Sequence, residues 1–193
     1  MLVLASGSPR RRQFLTDLGF QLDVQPSNAD ESVLQGEAAV SYALRVAHAK
    51  AAHVAALRPG EVILAADTVV SAADDILGKP EDAIDFQRIM MRLSGRTHAV
   101  TTAVVVRARD RRVYETTVCT EVTFRVLSAA EIDWYWASGE PRDKAGGYAL
   151  QGRGGVFVSE IHGSHSNVIG LPLVETLALL TEAGVTPPWA HVK

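Results

Sequence analysis

From Thr97 to Val126 the chain is rich in valine and threonine and is interrupted by one polar turn, at Asp110-Arg111. That stretch reads as a long antiparallel hairpin, His98 to Val106 against Val113 to Val126. The residues before it follow another pattern. Leu2 to Ala5 reads as a buried strand, Ser6-Gly7-Ser8-Pro9 as a loop, and a helix starts near Arg10, with Phe14, Leu15 and Leu18 on one face before Gly19. Glu37 to Leu57 is an alanine-rich helix with Ala39, Ala43, Val46 and Ala47 on one side and Lys50 in its second half, stopped by Pro59-Gly60. Val62 to Ala66 is a further apolar strand, which places Asp67-Thr68 at its carboxyl end. Alternating strand and helix joined to a long hairpin implies an α/β fold with a mixed twisted sheet in two lobes. Beyond the turn Leu77-Gly78-Lys79-Pro80, Pro80 is placed to open a helix buried through Ile84, Ile89, Met90 and Leu93, which Gly95 ends. Ser128 and Glu131 form a capping box for a short helix through Trp134 and Trp136. A short strand around Val156 to Ile161 and a helix from Pro172 to Ala183 complete the chain. No repeat or composition break divides it, so residues 1–193 are expected to form a single domain.

Composition excludes several classes. The chain has 47% apolar and 21% charged residues, ordinary for a globular protein. The apolar run after Met1 is too short for a signal peptide or a membrane span, so a cytoplasmic protein with no membrane partner is expected. Cys119 is the one cysteine; it permits neither an internal disulfide nor a cysteine-built zinc site and reads as a buried strand residue. A net charge of −3 and 6% aromatic residues give no pull toward nucleic acid and no aromatic-basic strand signature for RNA. Affinity for phosphate would have to come from basic residues gathered in one place.

Three groups of residues could do that. Ser6-Gly7-Ser8-Pro9-Arg10-Arg11 places small residues between a strand and a helix, where backbone N–H groups and the helix dipole attract an anion. Arginines in a first turn oppose that dipole, a local cost that a bound anion removes. Asp67-Thr68, expected outside a strand end, sit where open α/β sheets place their ligands, and Asp67 could hold a metal or activate water. Glu31, beside Asp30, is a further metal carboxylate candidate, suited to a hard divalent cation with phosphate oxygens. Asp74 and Asp75 read as solvated loop acids. Lys50, Lys79 and Lys144 occupy a helix, a Gly-Lys-Pro turn and an Asp-Lys-Ala-Gly turn, and could join a convergent phosphate pocket. Gln151 could read a base edge or bond backbone. His162 and His165 flank a glycine-serine turn without zinc-binding spacing. Ser8 has no identifiable base partner, which disfavours covalent catalysis.

The segments LASGSPRR at 4–11, AADTVV at 65–70, LGKP at 77–80, LSGRTH at 93–98, DKAGGYALQG at 143–152 and SNVIGLP at 166–172 run in the order of the Maf family of nucleotide pyrophosphatases, which the chain resembles. The resemblance implies a fold of the inosine-triphosphatase type with a cleft between two lobes, Mg²⁺ or Mn²⁺, a homodimer, and hydrolysis of a nucleoside triphosphate between its α and β phosphates. Asp67 then matches the family's catalytic acid-base position. Ser8, Arg11, Glu31, Lys50, Lys79 and Gln151 match positions that line the phosphate and metal site. Arg10, Thr68 and Gln151 match the specificity positions of the branch acting on dTTP and UTP, rather than the branch acting on 7-methyl-GTP. Gly147 departs from the usual alanine. The alternative from another class is a nucleotide-sensing regulator that binds without cutting. Trp134 or Trp136 is expected at a dimer contact.

Overall fold

The computed structural model describes residues 1–73 and 75–191. Strand β1 (Leu2–Leu4) lies between β2 (Leu22–Val24) and β3 (Val62–Ala72), parallel to both. β3 continues the sheet through antiparallel β5 (Thr97–Arg107), β6 (Val113–Phe124) and β7 (Val158–His162), and the short β4 (Asp75–Leu77) folds back on its far end. The long hairpin is therefore β5–β6. One edge of β3 is covered by β1 at Val62 to Leu64 and by β4 at Val70 to Ala72. Between them that edge is open, while β5 pairs along its other side from Ile63 to Ser71.

Three apolar cores surround this sheet. Helices α1 (Pro9–Asp17) and α6 (Leu173–Glu182) bury Leu15, Leu179 and Leu180 against Leu64, Ala66, Val104 and Val106. On the opposite face α2 (Ala39–Leu57) packs Ala43, Ala47 and Ala51 on Ile63, Ala65, Ala103 and Val105. Methyl-sized side chains on that helix face let it approach the sheet closely. The second lobe gathers α3 (Ala83–Leu93), α4 (Ala129–Ala137) and the far ends of β3, β5 and β6 around Phe86, Met90, Phe124 and Tyr135. The short α5 (His165–Ile169) lies against β5 and β6. β3, β5 and β6 thus run from one lobe into the other, and among the described residues no helix is long and apolar enough to cross a membrane.

Several sequence expectations are corrected. β3 does not stop at Ala66: Asp67 and Thr68 lie in the middle of an 11-residue strand, because a charged group is tolerated there by the partners described below. The alanine-rich helix starts at Ala39 rather than Glu37, whose carboxylate accepts from Arg45 Nε at 2.6 Å. Pro80 does not open α3. Asp82 caps that helix, accepting the Asp85 N–H at 2.8 Å; Phe86, Ile89, Met90 and Leu93 share its inward face, and Ile84, on the opposite side, is 78% exposed. Cys119 is exposed, in register with the outward-facing Glu115 and Thr117 of β6. Trp136 is stacked on Phe86 with centroids 5.1 Å apart, so of the two tryptophans Trp134 is the one available at the surface. The capping box of Ser128 and Glu131 forms as expected.

Candidate functional site

The floor of the site is a buried ion group. Asp67 faces α2, and Lys50 Nζ donates to its Oδ1 at 2.7 Å while standing 2.9 Å from Glu31 Oε1. Lys50 and Asp67 are both buried. A lone ammonium among alanines would be costly to bury; two carboxylates offset that cost and fix its position. Burial raises the pKa of Asp67, against the opposing pull of Lys50 and Arg11, so its carboxylate is more basic than an ordinary aspartate. Glu31 belongs to a loop that α2 ties down. Tyr42 Oη donates to the Glu31 carbonyl at 2.9 Å and Arg45 Nη2 to the Ser32 carbonyl at 2.8 Å. Burial, with Asp67 and Glu31 nearby, pushes the Tyr42 phenol up to about 12, so it remains a donor at neutral pH. One helix therefore supplies Lys50 and fixes the loop bearing its second partner.

The cradle at the start of α1 is built around Arg11. Its Nε donates to the Gly170 carbonyl at 2.8 Å, Nη1 to the Ala66 carbonyl at 2.8 Å and to Ser6 Oγ at 3.1 Å, and Nη2 to Thr68 Oγ1 at 2.9 Å. Ala66 lies where the edge of β3 is open, so Arg11 supplies the donor that a neighbouring strand would otherwise give. Burial lowers the pKa of Arg11, with Asp67 countering it. Successive strand residues point to opposite faces; Asp67 meets α2 while Thr68 meets Arg11 and bonds Thr102 Oγ1 at 2.9 Å. Ser8 caps α1, its Oγ accepting the Arg11 N–H at 3.4 Å, and Ser6 Oγ accepts from the Ser8 N–H at 3.2 Å. Arg10 is half-buried at the rim and makes no ion pair among the described residues.

Across the cleft, loops carry the remaining groups. Lys79 is exposed and unpaired among the described residues, and Lys144 pairs with Asp143. Their loops are joined where the Gly146 N–H donates to the Gly78 carbonyl at 3.0 Å. Gly146 has φ +67°, and a Cβ there would stand 2.8 Å from Val70, so the glycine allows the Lys144 loop to rest directly on β3. Gly147 also has a positive φ, +70°, a backbone in which glycine is more comfortable than alanine. Gln151 is exposed, with no hydrogen bond from its amide among the described residues.

Ser6, Ser8, Arg10, Arg11, Glu31, Lys50, Asp67, Thr68, Lys79, Lys144 and Gln151 all line one cleft of about 670 Å³. Asp30 does not; its carboxylate accepts the Ser32 N–H. Asp75 pairs with Arg92 at the surface, Asp74 lies outside the described residues, and His162 and His165 are exposed away from the cleft. Sequence reasoning passed over Tyr42 and Tyr148, which also line it; the position of Tyr42 two turns before Lys50 on one helix was the available signal. The carboxylates of Glu31 and Asp67 both reach Lys50, and among the described residues no group of three or more His, Cys, Asp or Glu side chains could hold a metal. Two such carboxylates fit a Mg²⁺-type cation that takes its other ligands from phosphate and water.

A cleft in a mixed α/β sheet, with a buried acid on its floor and arginine and lysine on both walls, defines a protein built to bind and act on a phosphorylated small molecule. The chain belongs to the family described as Maf-like protein, which it matches over residues 1–183. It is 54% identical over 191 residues to a dTTP/UTP pyrophosphatase of Anaeromyxobacter dehalogenans (strain 2CP-C), covering 97% of this chain and 96% of that one. It is 51% identical over 189 residues to a dTTP/UTP pyrophosphatase of Myxococcus xanthus, covering 98% and 95%. Among solved structures it is similar to a nucleoside-triphosphatase / dITP/XTP pyrophosphatase of Mycobacterium abscessus, at 13% identity and TM-score 0.46 over 96% of this chain and 97% of that one.

Proposed function

We propose that this chain hydrolyses dTTP and UTP to the nucleoside monophosphate and pyrophosphate. The observation that carries the reading is the full-length similarity to relatives of that name; the convergence of Asp67, Lys50 and the cleft cations supports it. Asp67 is the base. Water attacks the α-phosphorus, its proton passes to an Asp67 carboxylate oxygen, and the bond from that phosphorus to the bridging oxygen breaks as pyrophosphate departs with the electron pair. Lys50 holds Asp67 in place and, with Lys79, Lys144 and Arg10, offsets negative charge on the phosphates. Glu31 and Asp67 would hold Mg²⁺ or Mn²⁺, which supplies polarisation of the phosphate oxygens when bound. Arg11 already makes its bonds to Ser6, Ala66, Thr68 and Gly170, so its contribution is to fix the cradle and the Thr68 wall. Gln151, with a free amide, reads the base. The homodimer expected for such a protein remains part of the proposal, with Trp134 its candidate contact.

The test is product release in Mg²⁺ from a panel of nucleoside triphosphates, separating pyrophosphate from single phosphate. Pyrophosphate formed fastest from dTTP and UTP is the expected result. Tight binding without release in excess Mg²⁺ would replace the enzyme by a nucleotide sensor, and a guanine preference would reassign the base-reading residues.

A further inference from the structure

Gln151 stands on a loop with little regular structure, running from Lys144 through short helical turns to Phe157. The loop nevertheless has an internal anchor. The Glu140 carboxylate accepts from Tyr135 Oη at 2.7 Å, from the Arg153 N–H at 3.0 Å and from the Gly154 N–H at 3.2 Å. Tyr135 Oη in turn accepts the Ala149 N–H at 3.0 Å. One carboxylate thus gathers backbone donors from both sides of Gln151, directly after it and through the phenol before it. Tyr135 is itself fixed, its ring fully buried with centroids 6.0 Å from Phe86 and 5.1 Å from Phe157.

The glycines of the loop are shaped to this anchor. Gly152 has φ −113° and ψ −152°, an extended conformation open to any residue. A Cβ there would meet Glu140 Oε1 and Oε2 at 2.4 Å, so its side chain is excluded by the carboxylate and not by the backbone. At Gly154 a Cβ would stand 2.6 Å from Tyr135 Oη. The chain directly after Gln151 is therefore moulded on Glu140 and Tyr135, neither of which lines the cleft.

We propose that Glu140 is a positioning residue: its carboxylate is the template on which the Gln151 loop folds, and through that loop it sets affinity for the nucleotide base. The assignment of its effect to the base rests on the dTTP and UTP reading above. In Glu140→Gln one acceptor oxygen becomes an NH₂ group that faces a donor, so at least one of the three bonds is lost and a backbone N–H is left without its acceptor.

The test combines amide hydrogen exchange with kinetics on the full chain. In Glu140→Gln the amides of Arg153 and Gly154 are expected to exchange about tenfold faster or more, with protection in β3 and β5 unchanged. KM for dTTP should rise about tenfold with kcat within about twofold. In a Gln151→Ala background the same substitution should alter KM by less than about twofold, because the loop no longer carries the group it positions. Unchanged amide protection, or a KM effect that is fully additive with Gln151→Ala, overturns the proposal. If Glu140→Gln does not fold, Tyr135→Phe decides by exchange at the Ala149 amide and by the same KM comparison, since it removes the hydroxyl that joins Glu140 to Ala149 and keeps the ring. Exchange requires no turnover, so a chain unable to cleave dTTP would defeat the proposed activity while leaving the template testable.

Discussion

On the floor of the cleft Asp67, Lys50 and Arg11 stand on β3, α2 and α1, buried and bonded to one another or to backbone. Opposite them Lys79 and Gln151 stand on loops, exposed and without side-chain partners among the described residues, their backbone held by glycine contacts and the Glu140 carboxylate. The charges of the floor are tied to one another and to backbone, whereas the loop wall can change its side chains and keep its shape. Groups that must hold a proton in place belong on the first kind of support. Groups that recognise a ligand can reside on the second.

The sharpest break of this comparison is at Asp67. Asp67→Asn is expected to lower kcat by about 10³-fold while the protein still folds, and turnover near that of the parent chain would remove the floor from the chemistry. Arg11→Met leaves the Ala66 and Gly170 carbonyls without their donor; about 3 kcal/mol of stability should disappear in urea unfolding. A loss below about 1 kcal/mol would show that Arg11 is not a structural pin.

The third test concerns His98, buried in the second lobe with Nε2 2.8 Å from Tyr148 Oη. Burial lowers its pKa from 6.5 to about 4. Above pH 6.5 the ring is neutral whether the chain is folded or not. As pH falls toward 4 the unfolded chain takes up the proton first, so stability is lost across that window, by roughly 2–3 kcal/mol. His98→Gln should flatten this part of the stability–pH curve, and an unchanged slope would assign the loss to other groups. The smallest stability effect is expected at Lys79, where Lys79→Ala should stay within about 0.5 kcal/mol of the parent in unfolding while lowering the rate of pyrophosphate release. A large loss of stability there would erase the contrast between the two sides.

The floor was more legible in the sequence than its geometry. An acid after an apolar run, a lysine among alanines and arginines in a helix's first turn are each locally unfavourable, and such conflicts mark function. The extent of β3 was not legible. A charge inside a strand ordinarily signals its end, and what overrides that rule here is Lys50, which lies seventeen positions away in sequence and meets Asp67 only in the fold. Ile84 was expected inside, yet at about 100° per residue it lies opposite the face that Phe86, Ile89, Met90 and Leu93 share. Glu140 gave no sequence signal beyond a turn acid, since its partners are backbone N–H groups whose directions exist only after the Gly152–Gly155 turns have formed.

β3 and β5 extend through both lobes, joined from Ile63 to Ser71 by continuous pairing. Among the described residues no break in that pairing offers a hinge. Narrowing the cleft would require bending strands across their hydrogen-bonded ladder, so its width is an elastic property of the sheet rather than the position of a joint. A ligand entering it meets a gap already set to size, and spends little of its binding free energy on domain closure. Whatever adaptation the protein makes then falls to rim side chains such as Lys79 and Gln151, which have no side-chain partner among the described residues, around a frame that behaves as a spring.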